Sequence, residues 1–133
     1  MSKLKLKITL LDGLFAVCDL SSRGMFEALV KTSDAVPGFL SFTMIDDELS
    51  VVCREEETKD GAKCEKSWRC FKVQGPLDFA LTGVIASIAT PLANAGISMF
   101  PIATFNTDYF LVKQENVAAA IDTLTSAGHT VES

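Results

Sequence analysis

Between Trp68 and Val131 the apolar pattern switches repeatedly between a period of two and a period of 3.6. The order of those switches constrains the fold more than anything else in the chain. Trp68 to Gln74 alternates aromatic, β-branched and polar residues as a strand does, and Gly75-Pro76 turns the chain. Asp78 to Ala95 sets Leu81, Val84, Ile85, Ile88 and Leu92 on one helical stripe, with Gly96 positioned to end it. Pro91 lies inside that helix, removes the hydrogen bond to the Ser87 carbonyl, and is expected to kink the last turn. Ile97 to Phe105 and Tyr109 to Lys113 read as two strands about the turn formers Asn106, Thr107 and Asp108. Asn116 is placed to cap a second helix carrying Val117, Ala120, Ile121 and Leu124, stopped by Gly128, and Thr130-Val131 opens a last strand. The order is β-α-β-β-α-β. That is the ferredoxin-like arrangement, an α+β fold in which two helices cover one face of an antiparallel sheet.

A charged break precedes this segment. Nine of the fourteen residues from Arg54 to Ser67 are charged, so the stretch reads as an exposed loop between two halves. The first half is a shortened echo of the second. Leu14 to Leu20 reads as a strand, with Phe15 matching Trp68 at an offset of 53. Met25 to Lys31 offers about two helical turns, and Phe39 to Met44 with Leu49 to Cys53 forms a hairpin about Asp46-Asp47. Thr43 matches Thr104, Asp47 matches Asp108 and Val51 matches Val112, each at an offset of 61. These matches predict two units, residues 1–62 abbreviated and residues 63–133 complete. An extra strand over Leu4 to Leu11 is expected to fill the vacant position in the first sheet.

Charge and composition narrow the function. A chain of 133 residues that is 48% hydrophobic can bury a core, and its net charge of −5 argues against a nucleic-acid partner, which needs a basic stripe. No apolar run approaches the ~20 residues of a membrane span. Lysine alternating with leucine over Lys3 to Lys7 suits a strand with one wet face better than a signal peptide, so a cytoplasmic, membrane-free protein is expected. Cys18, Cys53 and Cys70 sit in strand patterns as small buried hydrophobes, and Cys64 falls in the charged segment as an exposed residue. With one histidine, His129, and no CxxC pair, neither a metal site nor a cofactor is expected. No phosphate loop, dinucleotide fingerprint or hydrolase motif occurs, and an enzyme would have to centre on Cys64 or His129.

The residues from Trp68 to His129, including QGPLDFALTG and TFNTDYFLV, resemble the second half of small bacterial tandem ACT-domain proteins. FLSFTMIDDELSVVC resembles the strand pair of their first half. TFNTDYFLV is also similar, more distantly, to ACT modules of the arginine-sensing proteins of animals. The resemblance implies regulatory βαββαβ units that bind amino acids and pair side by side, hence a homodimer or an internal pair.

Two segments carry the candidate site. Gly75, Pro76, Leu77 and Asp78 join a strand to a helix N-terminus, whose unpaired N–H groups suit a carboxylate; the plain alternative is a turn with Asp78 as helix cap. Thr104, Phe105 and Asp108 resemble the stretch that lines the pocket between paired units in the arginine sensors. Thr104 would offer a hydroxyl, Phe105 its ring and Asp108 a carboxylate for an ammonium or guanidinium. The alternative is that 106–108 only form the turn and Phe105 is core. The resulting expectation is a non-catalytic sensor of an amino acid, with a basic one compatible with Asp108. The competing expectation is a ligand-free dimerisation module.

Overall fold

The computed structural model describes residues 4–20, 38–58, 61–78 and 80–133, and the chain divides into two compact units. One comprises residues 1–12 and 68–133; the other, Gly13–Ser67, is inserted between them. The helix expected over Met25 to Lys31 lies outside the described residues.

The larger unit begins with β1 (Lys7–Leu10), whose alternation buries Ile8 and Leu10 and leaves Lys7 wet. Further along come the Trp68–Val73 part of β5 (Lys63–Val73), α1 (Val84–Asn94), β6 (Phe100–Ala103), β7 (Asp108–Lys113), α2 (Val117–Ser126) and β8 (Thr130–Glu132). The strand order in this unit is β8-β1-β5-β7-β6. β1 runs antiparallel to β5 and parallel to β8, while β5–β7 and β6–β7 are antiparallel.

Two expectations are corrected here. The N-terminal strand does not complete the first half's sheet; it lies between β5 and β8, where Leu6, Ile8 and Leu10 reach the core of the larger unit. The sheet is therefore mixed rather than antiparallel. That core joins those residues to Phe71, Val73, Phe110 and Val112 of the sheet and to Val84, Ile88, Leu92, Ala120 and Leu124 of the helices. Phe71 and Phe110 stack with ring centres 4.8 Å apart. Each such buried side chain contributes about 1.5–3 kcal/mol of apolar burial.

α1 starts six residues later than its apolar stripe suggests. Gly83 at φ 83° breaks the helical register, and Asp78 does not cap the helix; its carboxylate accepts the Ala80 N–H at 2.8 Å and organises a turn. The C-terminal end behaves as expected: Gly96 takes φ 75° and the Ile97 N–H returns to the Leu92 carbonyl at 2.9 Å. Asn116 precedes α2 at the end of a 3-10 turn, Gln114–Asn116, and its side chain makes no capping bond.

Pro91 lies inside α1 and leaves the Ser87 carbonyl without its helical donor. His129 takes that carbonyl through Nε2 at 3.0 Å, while its Nδ1 accepts the Leu6 N–H at 3.1 Å. Since Nδ1 is an acceptor, the ring proton sits on Nε2. Buried at 3% exposure, His129 uses both nitrogens to tie the N-terminal segment to α1, so it is an architectural residue.

In the inserted unit, β2 (Phe15–Asp19), β3 (Leu40–Ile45) and β4 (Glu48–Arg54) form an antiparallel set in the order β3-β4-β2, close to the strands expected. The segment from Arg54 to Ser67 departs from its reading as a loop. Arg54 closes β4, Glu55–Glu57 form a 3-10 turn, and Lys63–Ser67 are already β5. Strand neighbours supply backbone partners that override a charged composition. Cys64 is not an exposed thiol: it is half-buried and joined to Cys18 in a disulfide. Cys53 and Cys70 are buried thiols outside the disulfide, as expected.

Candidate functional site

Two loops of the larger unit meet. Residues 74–83 lead from β5 to α1, and residues 104–107 join β6 to β7. The Leu77 N–H donates to the Asn106 carbonyl at 2.7 Å. A Cβ on Gly75 would stand 2.9 Å from the Thr107 Cβ and 3.0 Å from the Asn106 carbonyl oxygen, so the approach requires glycine.

Thr107 anchors the second loop. It is 3% exposed, and its hydroxyl donates to the Val73 carbonyl at 2.6 Å. Its carbonyl accepts the Thr104 N–H at 3.0 Å and the Thr104 hydroxyl at 2.9 Å. Thr104's hydroxyl proton, expected to face a ligand, is thus engaged in closing the loop. Sequence reasoning treated Thr107 as a mere turn former. The signal available was the Thr-x-x-Thr spacing between two strands, which lets two hydroxyl residues replace the backbone bonds a four-residue loop lacks.

The joined loops border a cavity of about 360 Å³. Its aliphatic wall includes Leu77, Leu81, Val84, Ile85 and Ala103, and its polar margin includes Asp78, Thr104, Asn106 and Asp108. Phe105, 78% exposed, stands at the rim rather than in the core. Gly83, Val84 and Ile85 bring the N-terminus of α1 to the cavity. No side chain caps that eleven-residue helix, so its first N–H groups and their partial positive charge are available to an anion. Among the described residues, no donor or cation pairs with the half-buried Asp108 carboxylate.

Of the seven expected residues, Leu77, Asp78, Thr104, Phe105 and Asp108 border this cavity. Gly75 and Pro76 instead line a neighbouring cavity of about 400 Å³ together with Lys72, Tyr109 and the shared Thr104, Asn106 and Thr107. The matching residues of the first half lie elsewhere: Thr43 is exposed on β3, and Asp47 is exposed in the turn between β3 and β4.

Comparison with known proteins gives this geometry a lineage. Residues 63–126 match the family model of the ACT domain. The human cytosolic arginine sensor for mTORC1 subunit 1 is 34% identical over 94 residues, which are 65% of this chain and 29% of that protein. The rat protein is 33% identical over 100 residues, 69% of this chain and 30% of its own length. The chain thus spans about three tenths of the curated relatives it matches. A solved protein of Agrobacterium tumefaciens shares 34% identity and a TM-score of 0.85, covering 96% of this chain and 92% of its own. The ligand-free regulatory subunit of aspartate kinase from Thermus thermophilus has the same fold, with a TM-score of 0.64 at 8% identity, over 90% of this chain and 95% of its own. From its strand and helix order to these likenesses, the chain belongs to the ACT-domain family.

Proposed function

We infer that this chain is a non-catalytic regulatory module in which two ACT-like units, the first abbreviated, stand in tandem, and that it binds a free amino acid between the 74–83 and 104–107 loops. The observation that carries the reading is the pairing, around one cavity of about 360 Å³, of a helix N-terminus without a side-chain cap with an Asp108 carboxylate that has no side-chain partner among the described residues. That volume is at the small end of ligand sites, which run ~300–1,000 Å³. An α-amino acid is a zwitterion. Its carboxylate suits the N–H groups at Val84 and Ile85, and a cationic group suits Asp108. Leu77, Leu81 and Ile85 offer apolar contact to the ligand's carbon chain. Relatives named as arginine sensors support a ligand of this class, a basic one included.

Binding to the folded state alone raises stability by about 2.7 kcal/mol when ligand is at 100 times its Kd, a shift of several degrees in Tm. Thermal-shift screening of the twenty amino acids, followed by calorimetry, tests the reading. At least one should stabilise the protein, and no stabilisation by any of them overturns it.

A second reading, a dimerisation module that needs no ligand, draws on β3, where Leu40, Phe42, Met44 and Ile45 are 37–58% exposed. It predicts an oligomer that forms with concentration, measured by light scattering, and is indifferent to amino acids. Among the described residues no helix is long and apolar enough to cross a membrane.

A further inference from the structure

The Cys18–Cys64 disulfide occupies a position unlike that of the other two cysteines. It links β2 to the beginning of β5 across 46 residues, nearly the whole inserted unit. Cys18 is 4% exposed, whereas Cys64 is half-buried, and both half-cystines line a cleft of about 490 Å³. The cleft is open to solvent and also bordered by Asp19, Glu48, Glu65 and Lys63. Within Lys63–Ser67 every side chain except Cys64 is exposed. The sulfur bridge ties this segment covalently to β2, and the Ser67 N–H adds a bond to the Glu55 carboxylate at 3.0 Å.

We propose that Cys18–Cys64 is a thiol-exchange latch, opened through its cleft by a small neutral or cationic thiol, and that its redox state sets how firmly Lys63–Ser67 is held. A thiolate attacks the Cys64 sulfur, the more accessible of the two. The S–S bond breaks, its electron pair leaves on Cys18, and a mixed disulfide remains on Cys64. A second thiol attacks the outer sulfur of that mixed disulfide and frees Cys64. Water returns a proton to each cysteine. The balance is one protein disulfide and two small thiols giving two cysteine thiols and one small disulfide. Attack at Cys64 fits the cleft, and among the described residues its margin is net acidic, with Asp19, Glu48 and Glu65 beside Lys63, which repels an anionic attacker. Exchange ends there, because the neighbouring Cys53 is 2% exposed and packs inside the unit's apolar cluster.

The test uses the whole native protein at pH 8, with alkylation and mass spectrometry to count and map thiols. Without reductant neither Cys18 nor Cys64 should label. With millimolar cysteamine or dithiothreitol those two label while circular dichroism stays native and Cys53 and Cys70 remain protected. Hydrogen exchange over residues 63–67 should rise at least tenfold on reduction and return to its oxidised value with cystamine. Corrected for thiolate fraction, cysteamine should react several-fold faster than glutathione at low salt, and the gap should close in 0.5 M salt, where the Debye length is only a few ångströms. Glu48→Gln should raise the glutathione rate by itself, without touching either cysteine. The proposal is overturned if all four cysteines label without reductant, or if the bridge yields only when the protein unfolds. It is also overturned if glutathione reacts as fast as cysteamine, or if exchange over 63–67 does not change.

Discussion

The two hairpins of this chain carry matching residues and end differently. Thr43, Asp47 and Val51 repeat as Thr104, Asp108 and Val112. The β3–β4 ladder runs to Ile45↔Glu48 and closes on a two-residue turn, with Asp46 at φ 48°. The β6–β7 ladder stops at Ala103↔Asp108 and leaves four residues to loop over. Asp47 is therefore an exposed tip, while Asp108 is a half-buried strand residue at the mouth of a cavity. The difference is made by groups outside the repeat. Thr107 bonds the loop to the end of β5, and Gly75 lets the neighbouring loop approach it. The units also differ in how they are fastened. The larger is pinned by buried hydrogen bonds at His129 and Thr107, the inserted one by a disulfide over an apolar cluster. The same residue types at the same spacing thus end in different surroundings, and the surroundings decide whether the aspartate borders a cavity.

The contrast in fastening gives the largest expected effect. His129→Leu removes the partners of the Ser87 carbonyl and the Leu6 N–H together, and should cost about 2–4 kcal/mol in urea unfolding. Pro91→Ala returns a helical donor to the Ser87 carbonyl, so in that background the cost of His129→Leu should fall by about 1 kcal/mol. Additive costs would show that His129 does not replace the donor Pro91 lacks.

Next come the paired aspartates. If a basic amino acid binds at the 104–107 loop, Asp108→Ala should weaken it by roughly 10–100-fold in calorimetry, the worth of a charge-assisted bond, and Asp47→Ala by less than twofold. Equal losses would erase the distinction between the hairpins. The threonines sharpen it without a ligand. Thr107→Val keeps the shape but orphans the Val73 carbonyl, and should cost about 1–3 kcal/mol, lowering Tm by several degrees. Thr43→Val, on an exposed strand face, should stay within about 0.5 kcal/mol.

How far the sequence revealed this structure follows from the range of the forces involved. The β-α-β-β-α-β order, the Gly96 helix end and the hairpin about Asp46-Asp47 were legible because period and turn chemistry are local. The N-terminal strand is legible as a strand, but its neighbours β5 and β8 are not, since alternation fixes a face and not a neighbour. Lys63–Ser67 looked like loop because its strand character comes from pairing, and Cys64 looked idle because its partner is 46 residues away. At the site, Asp108 and the GPLD loop stood out by residue type. Thr107 did not, because only the fold brings its hydroxyl to Val73.

The smallest effect expected is a pH dependence confined to the inserted unit. Burial pushes the Cys53 thiol up from 9.0 to about 11, with the nearby Glu57 and Glu56 carboxylates adding to the rise. The unfolded chain loses this proton first, near its ordinary value, so deprotonation favours unfolding. The stabilisation is therefore fully present below pH 9 and drains away as pH climbs toward 11. By pH 10 the loss should be about 1 kcal/mol in urea unfolding relative to pH 8. Cys53→Ala should lack this component of the slope. Glu57→Gln should bring the thiol down and narrow the window, since it removes one of the two carboxylates that oppose the thiolate. A pH slope identical in wild type and Cys53→Ala would mean that Cys53 reaches water as readily folded as unfolded, contradicting its 2% exposure in the β4 ladder.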